Sequence, residues 1–394
     1  MNTIGSINFK LPQTNFSAGA RSDNNMTLYE QPKSDCFTKT QISFGVSETE
    51  PASKVTDKAN SNEDKVIKWG ILGTGKIANE MAKAIMDTKC VKNAELCAVA
   101  SRTPERAEKF ATMHHIPNHY GSYEELVQKS DVDVVYIATD THRHYEDILL
   151  CLNNGKNVLC EKPLTLNKAQ AEKVFALAKE KGLFLMEAYW SQFTPGYEKI
   201  RELIKNGEIG DVTGIEAQFL FKPEKSQHKD RLFSLNRGGG ALLDVGFYTI
   251  GLALMVSGYP TDIKSETMRR GNGVDTYDKI ILTHKNGSTS ELICGIDEDA
   301  PRVAEIRGTK GKIIIPRPFH NPQTLTLKLK NKEAIKINLH PEGNGYNYEV
   351  NEVNKRIRNG ETQSPIHSPQ NTFDILEIMD AVRAKANLVY PQER

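Results

Sequence analysis

The sequence lacks most features that would settle its class at once. It carries 51 Lys and Arg against 50 Asp and Glu, a formal net charge of +1. No basic field is there to gather nucleic acid or acidic lipid, so neither is expected as a partner. No run approaches the roughly 18 apolar residues that span a bilayer. Met1 to Lys10 has one lysine and no apolar h-region, so no secretory signal is expected. The six cysteines, Cys36, Cys90, Cys97, Cys151, Cys160 and Cys294, form no C-x-x-C pair. They read as reduced thiols of a cytoplasmic enzyme, four of them in apolar stretches. His114, His115 and His119 lie close together, but no carboxylate or cysteine completes a ligand set, so no metal site is expected. No repeat of solenoid period is visible.

What is present is ample chain for a core. Hydrophobic residues make up 38% of the 394, enough for two domains or one large domain with an extension. Residues 1–63 are rich in Ser, Thr, Asn, Asp and Lys, without a sustained apolar period. Such a stretch cannot bury enough surface to offset its ordering entropy, and it reads as a disordered or loosely attached extension.

From Val66 the texture changes. Strand-like runs at Val66–Leu72, Ala94–Ser101, Val132–Thr139, Asn157–Cys160 and Leu183–Ala188 alternate with helical periods at Ile77–Ile85, Pro104–His115, Tyr145–Leu152 and Asn167–Lys181. That alternation predicts βαβ units and a doubly wound parallel (Rossmann) sheet over 66–188, an α/β architecture. After Ala188 one helix follows Pro195. Strands then dominate: Val212–Phe221, Lys264–Arg270, Tyr277–His284, Ser290–Ile296, Val303–Ile306 and Leu325–Leu329. Residues 189–394 therefore read as an α+β domain with a large open, mostly antiparallel sheet, closed by helices at Tyr346–Arg358 and Thr372–Ala386.

The loop after the first strand is Gly73-Thr74-Gly75-Lys76-Ile77-Ala78. Gly73 permits a tight turn, Gly75 lets backbone approach a pyrophosphate, and Ala78 allows close helix–strand packing. The helix that follows offers free N–H groups and its positive dipole end. Alone the motif is weak; between a strand and a helix, with βαβ units after it, it predicts dinucleotide binding. The second strand ends at Ser101-Arg102, where an NAD site would place a carboxylate for the ribose 2′-hydroxyl. Serine and arginine instead suit a 2′-phosphate, which predicts NADP.

Several ordered motifs then point one way. They are Thr139-Asp140-Thr141-His142-Arg143-His144, Glu161-Lys162-Pro163, and Gly238-Gly239-Gly240-Ala241-Leu242-Leu243-Asp244-Val245-Gly246-Phe247-Tyr248. Together they resemble the Gfo/Idh/MocA oxidoreductases, over nearly everything from Val66 onward. Met186-Glu187-Ala188-Tyr189-Trp190, Arg231-Leu232-Phe233, Gly308-Thr309-Lys310-Gly311 and Gly345-Tyr346-Asn347-Tyr348-Glu349 are similar to the dihydrodiol dehydrogenase branch. That branch also holds NADP-dependent D-xylose 1-dehydrogenases.

The resemblance implies hydride transfer between NADP and a hydroxyl of a cyclic polyol, sugar or trans-dihydrodiol, by a homodimer joined through its open sheet. It implies Tyr248 as acid/base and Lys162 as the cation that lowers the phenol's pKa and binds the substrate oxygen. Asp244, four residues before Tyr248, would share a helix face with it and hold a substrate hydroxyl or Lys162. Cofactor contacts are expected from Gly73, Thr74, Gly75, Lys76, Ile77, Ser101, Arg102, Thr139, Thr141, His142, Glu161 and Lys162, and substrate contacts from Trp190, Phe193 and Arg231. His144 is expected only to cap a helix. The sequence departs from the family at Asp140, where a proline is common, at Thr194, where an aromatic residue is usual, and at Ser234–Arg237. Two alternatives stay open: a redox-neutral NAD-dependent glycosidase of the same fold, and a non-catalytic NADP sensor.

Overall fold

The computed structural model describes residues 64–224 and 231–394. The extension expected over 1–63 lies outside the described residues.

Six parallel strands form the first sheet: β1 (Ile67–Leu72), β2 (Ala94–Ala100), β3 (Asn118–Tyr120), β4 (Val134–Ile137), β5 (Asn157–Glu161) and β6 (Leu185–Ala188). Their order is β3-β2-β1-β4-β5-β6. Five helices connect them: α1 (Lys76–Met86), α2 (Pro104–His114), α3 (Tyr123–Lys129), α4 (Thr141–Asn153) and α5 (Lys168–Lys181). With helices on both faces the central strands are buried throughout, which is why Val134–Ile137 reads as an unbroken apolar run. The order reverses between β1 and β4, and a crevice opens beyond their carboxyl ends. The short β3 and α3 escaped the sequence because neither is long enough to show a period.

The second sheet has eight strands: β7 (Val212–Leu220), β8 (Pro260–Arg269), β9 (Asp275–His284), β10 (Thr289–Gly295), β11 (Ala304–Gly308), β12 (Gly311–Ile315), β13 (Thr324–Leu329) and β14 (Ile335–Asn338). Its order is β14-β13-β12-β11-β7-β10-β9-β8. All neighbours are antiparallel except β7 and β10 at the centre. The remaining long helices are α6 (Pro195–Lys205), α7 (Phe247–Ser257), α8 (Asn347–Arg358) and α9 (Pro369–Lys385).

Helix α7 and the turn before it correct the sequence reading. Leu235–Ser257 is long and apolar enough to cross a membrane, yet 78% of its most apolar stretch is buried inside the protein. It packs on β7 and β10. A helix apolar on every side shows no amphipathic stripe, so its period was invisible.

Helices α8 and α9 return to the first sheet, with α8 against α1 and α9 against α5. Val350 and Val353 of α8 join a core with Trp69, Met81 and Phe193. Trp69 is fully buried, and its indole N–H donates to Asn354 Oδ1 at 3.0 Å. Replacing Asn354 by Ala strands that donor and should cost about 1–3 kcal/mol. Adding Trp69→Phe to Asn354→Ala removes the orphaned group and should recover part of the loss. Urea unfolding of the single and double variants checks this.

Candidate active site

The glycine loop turns sharply where β1 ends. Gly73 has φ +103°, and a Cβ there would lie 2.8 Å from Ala138 O. Gly75 caps α1 without a side chain and has no other atom within 4 Å of where its Cβ would stand. No acidic residue occupies the first turn of α1, so its positive end is not neutralised. The loop forms one end of a cleft of about 600 Å³. Ser101, Arg102 and Arg106 line that same end. Arg106 sits in the first turn of α2, four residues after Arg102; a lone arginine on an exposed face carries no signal in the sequence. Backbone N–H groups, a dipole end, a hydroxyl and two guanidiniums form a donor set that fits a dinucleotide with a 2′-phosphate.

Between the two ends lies the turn after β4. Thr139 Oγ1 donates to Asp147 Oδ2 at 2.7 Å, and Arg143 Nη2 to Asp147 Oδ1 at 2.8 Å. Asp147 is fully buried and anchors the turn from the second winding of α4. Thr139, Asp140, Thr141, Arg143 and His144 line the cleft, and His142 does not. Instead burial pushes the pKa of His142 down, with Asp140 and the Arg237 backbone beside it working against that shift. His144 does more than cap a helix. Its Nδ1 lies 2.9 Å from Pro163 O and its Nε2 3.1 Å from Thr139 O, so it ties this turn to the lysine loop.

At the far end Lys162, Asp244 and Tyr248 meet. Lys162 leaves the carboxyl end of β5, where Leu164 N donates to the buried carboxylate of Glu187 at 2.7 Å. That carboxylate also receives Thr372 Oγ1 at 2.9 Å and faces His367 Nε2 at 2.8 Å. Glu161 lines the cleft, but its carboxylate holds the Tyr136 hydroxyl and the Lys162 N–H. Burial raises its pKa. Behind it, Glu349 is fully buried, and burial followed by Glu161 pushes its carboxyl well up.

Asp244 lies in a π-turn, Leu242–Gly246, that runs into α7. Lys162 Nζ donates to its backbone carbonyl oxygen at 2.6 Å. The ammonium is 4.0 Å from Asp244 Oδ1 and 4.7 Å from the centre of the Tyr248 ring. Arg231 Nη2 holds Asp244 Oδ1 at 2.8 Å. One carboxylate therefore faces two cations. Burial lowers the pKa of Lys162, and Asp244 works against that shift.

Tyr248 departs from expectation in one respect. Its hydroxyl accepts the Trp190 indole N–H at 3.1 Å, and burial pushes the phenol well above its ordinary pKa. Lys162 sits over the ring face and does not offset the loss of water, so the phenol keeps its proton in this state.

Trp190 and Tyr346 form an aromatic wall with ring centroids 4.7 Å apart. His320 stacks on Phe219 at 4.7 Å and lies 5.2 Å from the Tyr248 ring. Nothing in Phe319-His320-Asn321 signals this, because a turn between β12 and β13 has no period to read. Phe193 is absent from the wall; it packs in the core beneath the first sheet. Thr194 is also buried, with Oγ1 donating to Ser191 O at 2.8 Å. His114 faces Asn79 Oδ1 at 2.9 Å. Among the described residues no three His, Cys, Asp or Glu side chains could hold a metal ion.

Comparison with known proteins follows the same lines. Residues 67–189 match the GFO_IDH_MocA family model, described as an oxidoreductase family with an NAD-binding Rossmann fold. Residues 197–314 match the GFO/IDH/MocA C-terminal domain. The chain is 36% identical over 334 residues to a Xenopus tropicalis trans-1,2-dihydrobenzene-1,2-diol dehydrogenase, covering 82% of this chain and 99% of that one. The human protein of that name is 33% identical over 335 residues, covering 83% and 99%. Among solved structures, KijD10, a 3-ketoreductase from Actinomadura kijaniata in complex with NADP and TDP-benzene, has a TM-score of 0.73 at 28% identity. That match covers 81% of this chain and 98% of the other. A levoglucosan dehydrogenase with NADH and levoglucosan shares the fold, with a TM-score of 0.74 at 19% identity over 83% of this chain and 100% of the other.

His320 supplies a test of the site's electrostatics. Burial, then Arg302 and Lys162, push its pKa down to about 3. The unfolded chain therefore binds a proton that the folded chain refuses, and stability attached to His320 is lost as pH falls from about 6.5 towards 3. His320→Phe should flatten that acid limb relative to the parent protein in melting curves taken across the range.

Proposed function

Because this chain belongs to the Gfo/Idh/MocA oxidoreductase family, we propose that it moves a hydride between NADP and a hydroxyl carbon of a small cyclic polyol, sugar such as D-xylose, or trans-dihydrodiol. One observation carries the reading: a single cleft holds the glycine loop with Ser101, Arg102 and Arg106 at one end and Lys162, Asp244 and Tyr248 at the other.

The chain's residues divide the work. Gly73 to Ile77 offer backbone donors to a pyrophosphate, while Ser101, Arg102 and Arg106 meet the 2′-phosphate. A bound nicotinamide supplies the hydride donor or acceptor. Tyr248, protonated in its buried setting, donates its O–H to the substrate oxygen during reduction and takes that proton back during oxidation. Lys162 and Arg231 face the single carboxylate of Asp244. The ammonium and guanidinium beside it favour an oxyanion on the reacting carbon. Asp244 retains acceptor capacity for a substrate hydroxyl. Trp190 and Tyr346 present flat faces against which a ring can lie and exclude water.

The same family reading carries a homodimer through the outer face of the second sheet. Along that face run the ion pairs Lys279–Glu291 at 3.0 Å and Arg307–Glu216.

Tyr248→Phe should lower kcat by about 100-fold or more, the usual worth of a positioned acid/base group. NADPH binding should persist. Formation of NADPH is followed by absorbance with a panel of aldoses, anhydro-sugars and dihydrodiols. Sugar turned over without net NADPH would replace this reading with redox-neutral glycoside cleavage. Arg102→Ala should weaken NADPH binding by about 10–100-fold and leave NADH nearly unaffected. Fluorescence titration with both cofactors checks that selectivity.

A further inference from the structure

Two places where the sequence departs from its family, Asp140 and the Ser234–Arg237 segment, meet in space. Arg237 donates from Nε and Nη2 to Asp140 Oδ2 at 2.9 and 2.6 Å. The two side chains are 38% and 18% exposed, and both line the cleft. Asp140 stands at the N-cap of α4 but makes no side-chain cap, so its carboxylate is given to the arginine rather than to its own helix. Gly238 presses in next, where a Cβ would lie 3.0 Å from Thr141 Cβ and 3.2 Å from His142 N. The opposite side of the segment is tied to the chain's C-terminal end. Tyr390 Oη donates to Gly239 O and Gln392 Nε2 to Asn236 O, both at 2.8 Å.

These contacts join the cleft's two walls. Residues 139–142 belong to the wall that carries the glycine loop's neighbour, β4. Residues 235–240 lead directly into the turn that carries Asp244 and into Tyr248. We infer that Arg237 and Asp140 form a bolt across the cleft, and that this bolt sets how long the cleft retains its dinucleotide. The inference rests on the NADP reading above. Arg237 is a positioning residue: it acts by holding the α4 end against the catalytic segment. A two-donor guanidinium–carboxylate pair constrains direction as well as distance. Partial burial shields it from salt more than a surface pair. Opening the walls speeds dissociation, whereas association, governed by diffusion into the cleft mouth, changes little.

Stopped-flow displacement of NADPH from the 394-residue chain, with equilibrium fluorescence titration alongside, tests the bolt. Arg237→Ala and Asp140→Ala are each expected to raise the dissociation rate and Kd about tenfold. The reversed pair, Asp140→Arg with Arg237→Asp, should recover most of that loss, which a merely structural role would not predict. Arg237→Lys keeps the charge without the fork and should fall between. It also keeps the test open if an alanine variant fails to fold, since melting curves accompany every measurement. Single variants that release NADPH at the parent rate would overturn the bolt, as would a reversed pair no better than the worse single. A parent chain that holds no NADPH would instead overturn the cofactor reading on which the bolt rests.

Discussion

The candidate site is joined by one hydrogen bond between the two sheets' territories, from Lys162 Nζ to the carbonyl of Asp244 at 2.6 Å. Lys162 comes from the carboxyl edge of the parallel sheet, and Asp244 from the turn that opens the helix on the second sheet. A buried ammonium needs an acceptor, and the π-turn supplies one from backbone. The bond therefore fixes where the lysine loop and α7 must sit, and most neighbouring interactions serve to hold those two in place.

On the lysine side the supports are buried and polar. Glu187 takes the Leu164 N–H and is itself held by Thr372 and met by His367, residues from the C-terminal part of the chain. On the helix side Asp275 accepts the Leu242 N–H at 2.7 Å from within the second sheet. Burial raises the pKa of that carboxyl, and Asp278 beside it is pushed well up by burial and then by Asp275. Each end of the central bond thus rests on a buried acid fully enclosed by protein. Such groups are costly to bury and lose their value if a partner is removed, so the site is stiff by construction.

Stiffness bears on function through Tyr248. The phenol accepts the Trp190 N–H with the lysine over its ring, and burial holds its proton in place. Lys162, expected from the sequence to lower that pKa, spends its hydrogen bond on Asp244 and faces the ring instead of the hydroxyl. Under the proposed reaction its contribution, with Arg231, is positive charge beside the reacting oxygen. The Arg237–Asp140 contact adds a second tie between the same walls, further along the cleft.

The sequence by itself determined the parallel sheet, the glycine loop and the absence of a carboxylate beside Ser101-Arg102. These depend on neighbours along the chain: an apolar period, a turn that needs Gly73, and a strand end next to a helix start. It also placed Lys162, Asp244 and Tyr248 in motifs, because each stands in a local pattern. Only the tertiary structure decided which side chains reach the cleft. His144 replaces His142 there because residues 141–144 form one helical turn, whose rotation the sequence does not show. Phe193 and Thr194 turn inward, while Tyr346 arrives from a segment distant in sequence and His320 packs behind it against Phe219 and Tyr248. Helix α7 was hidden because burial on every side erases the polar stripe that marks a helix. Local periodicity records the face each element buries; which elements meet is decided by packing between residues far apart in the chain.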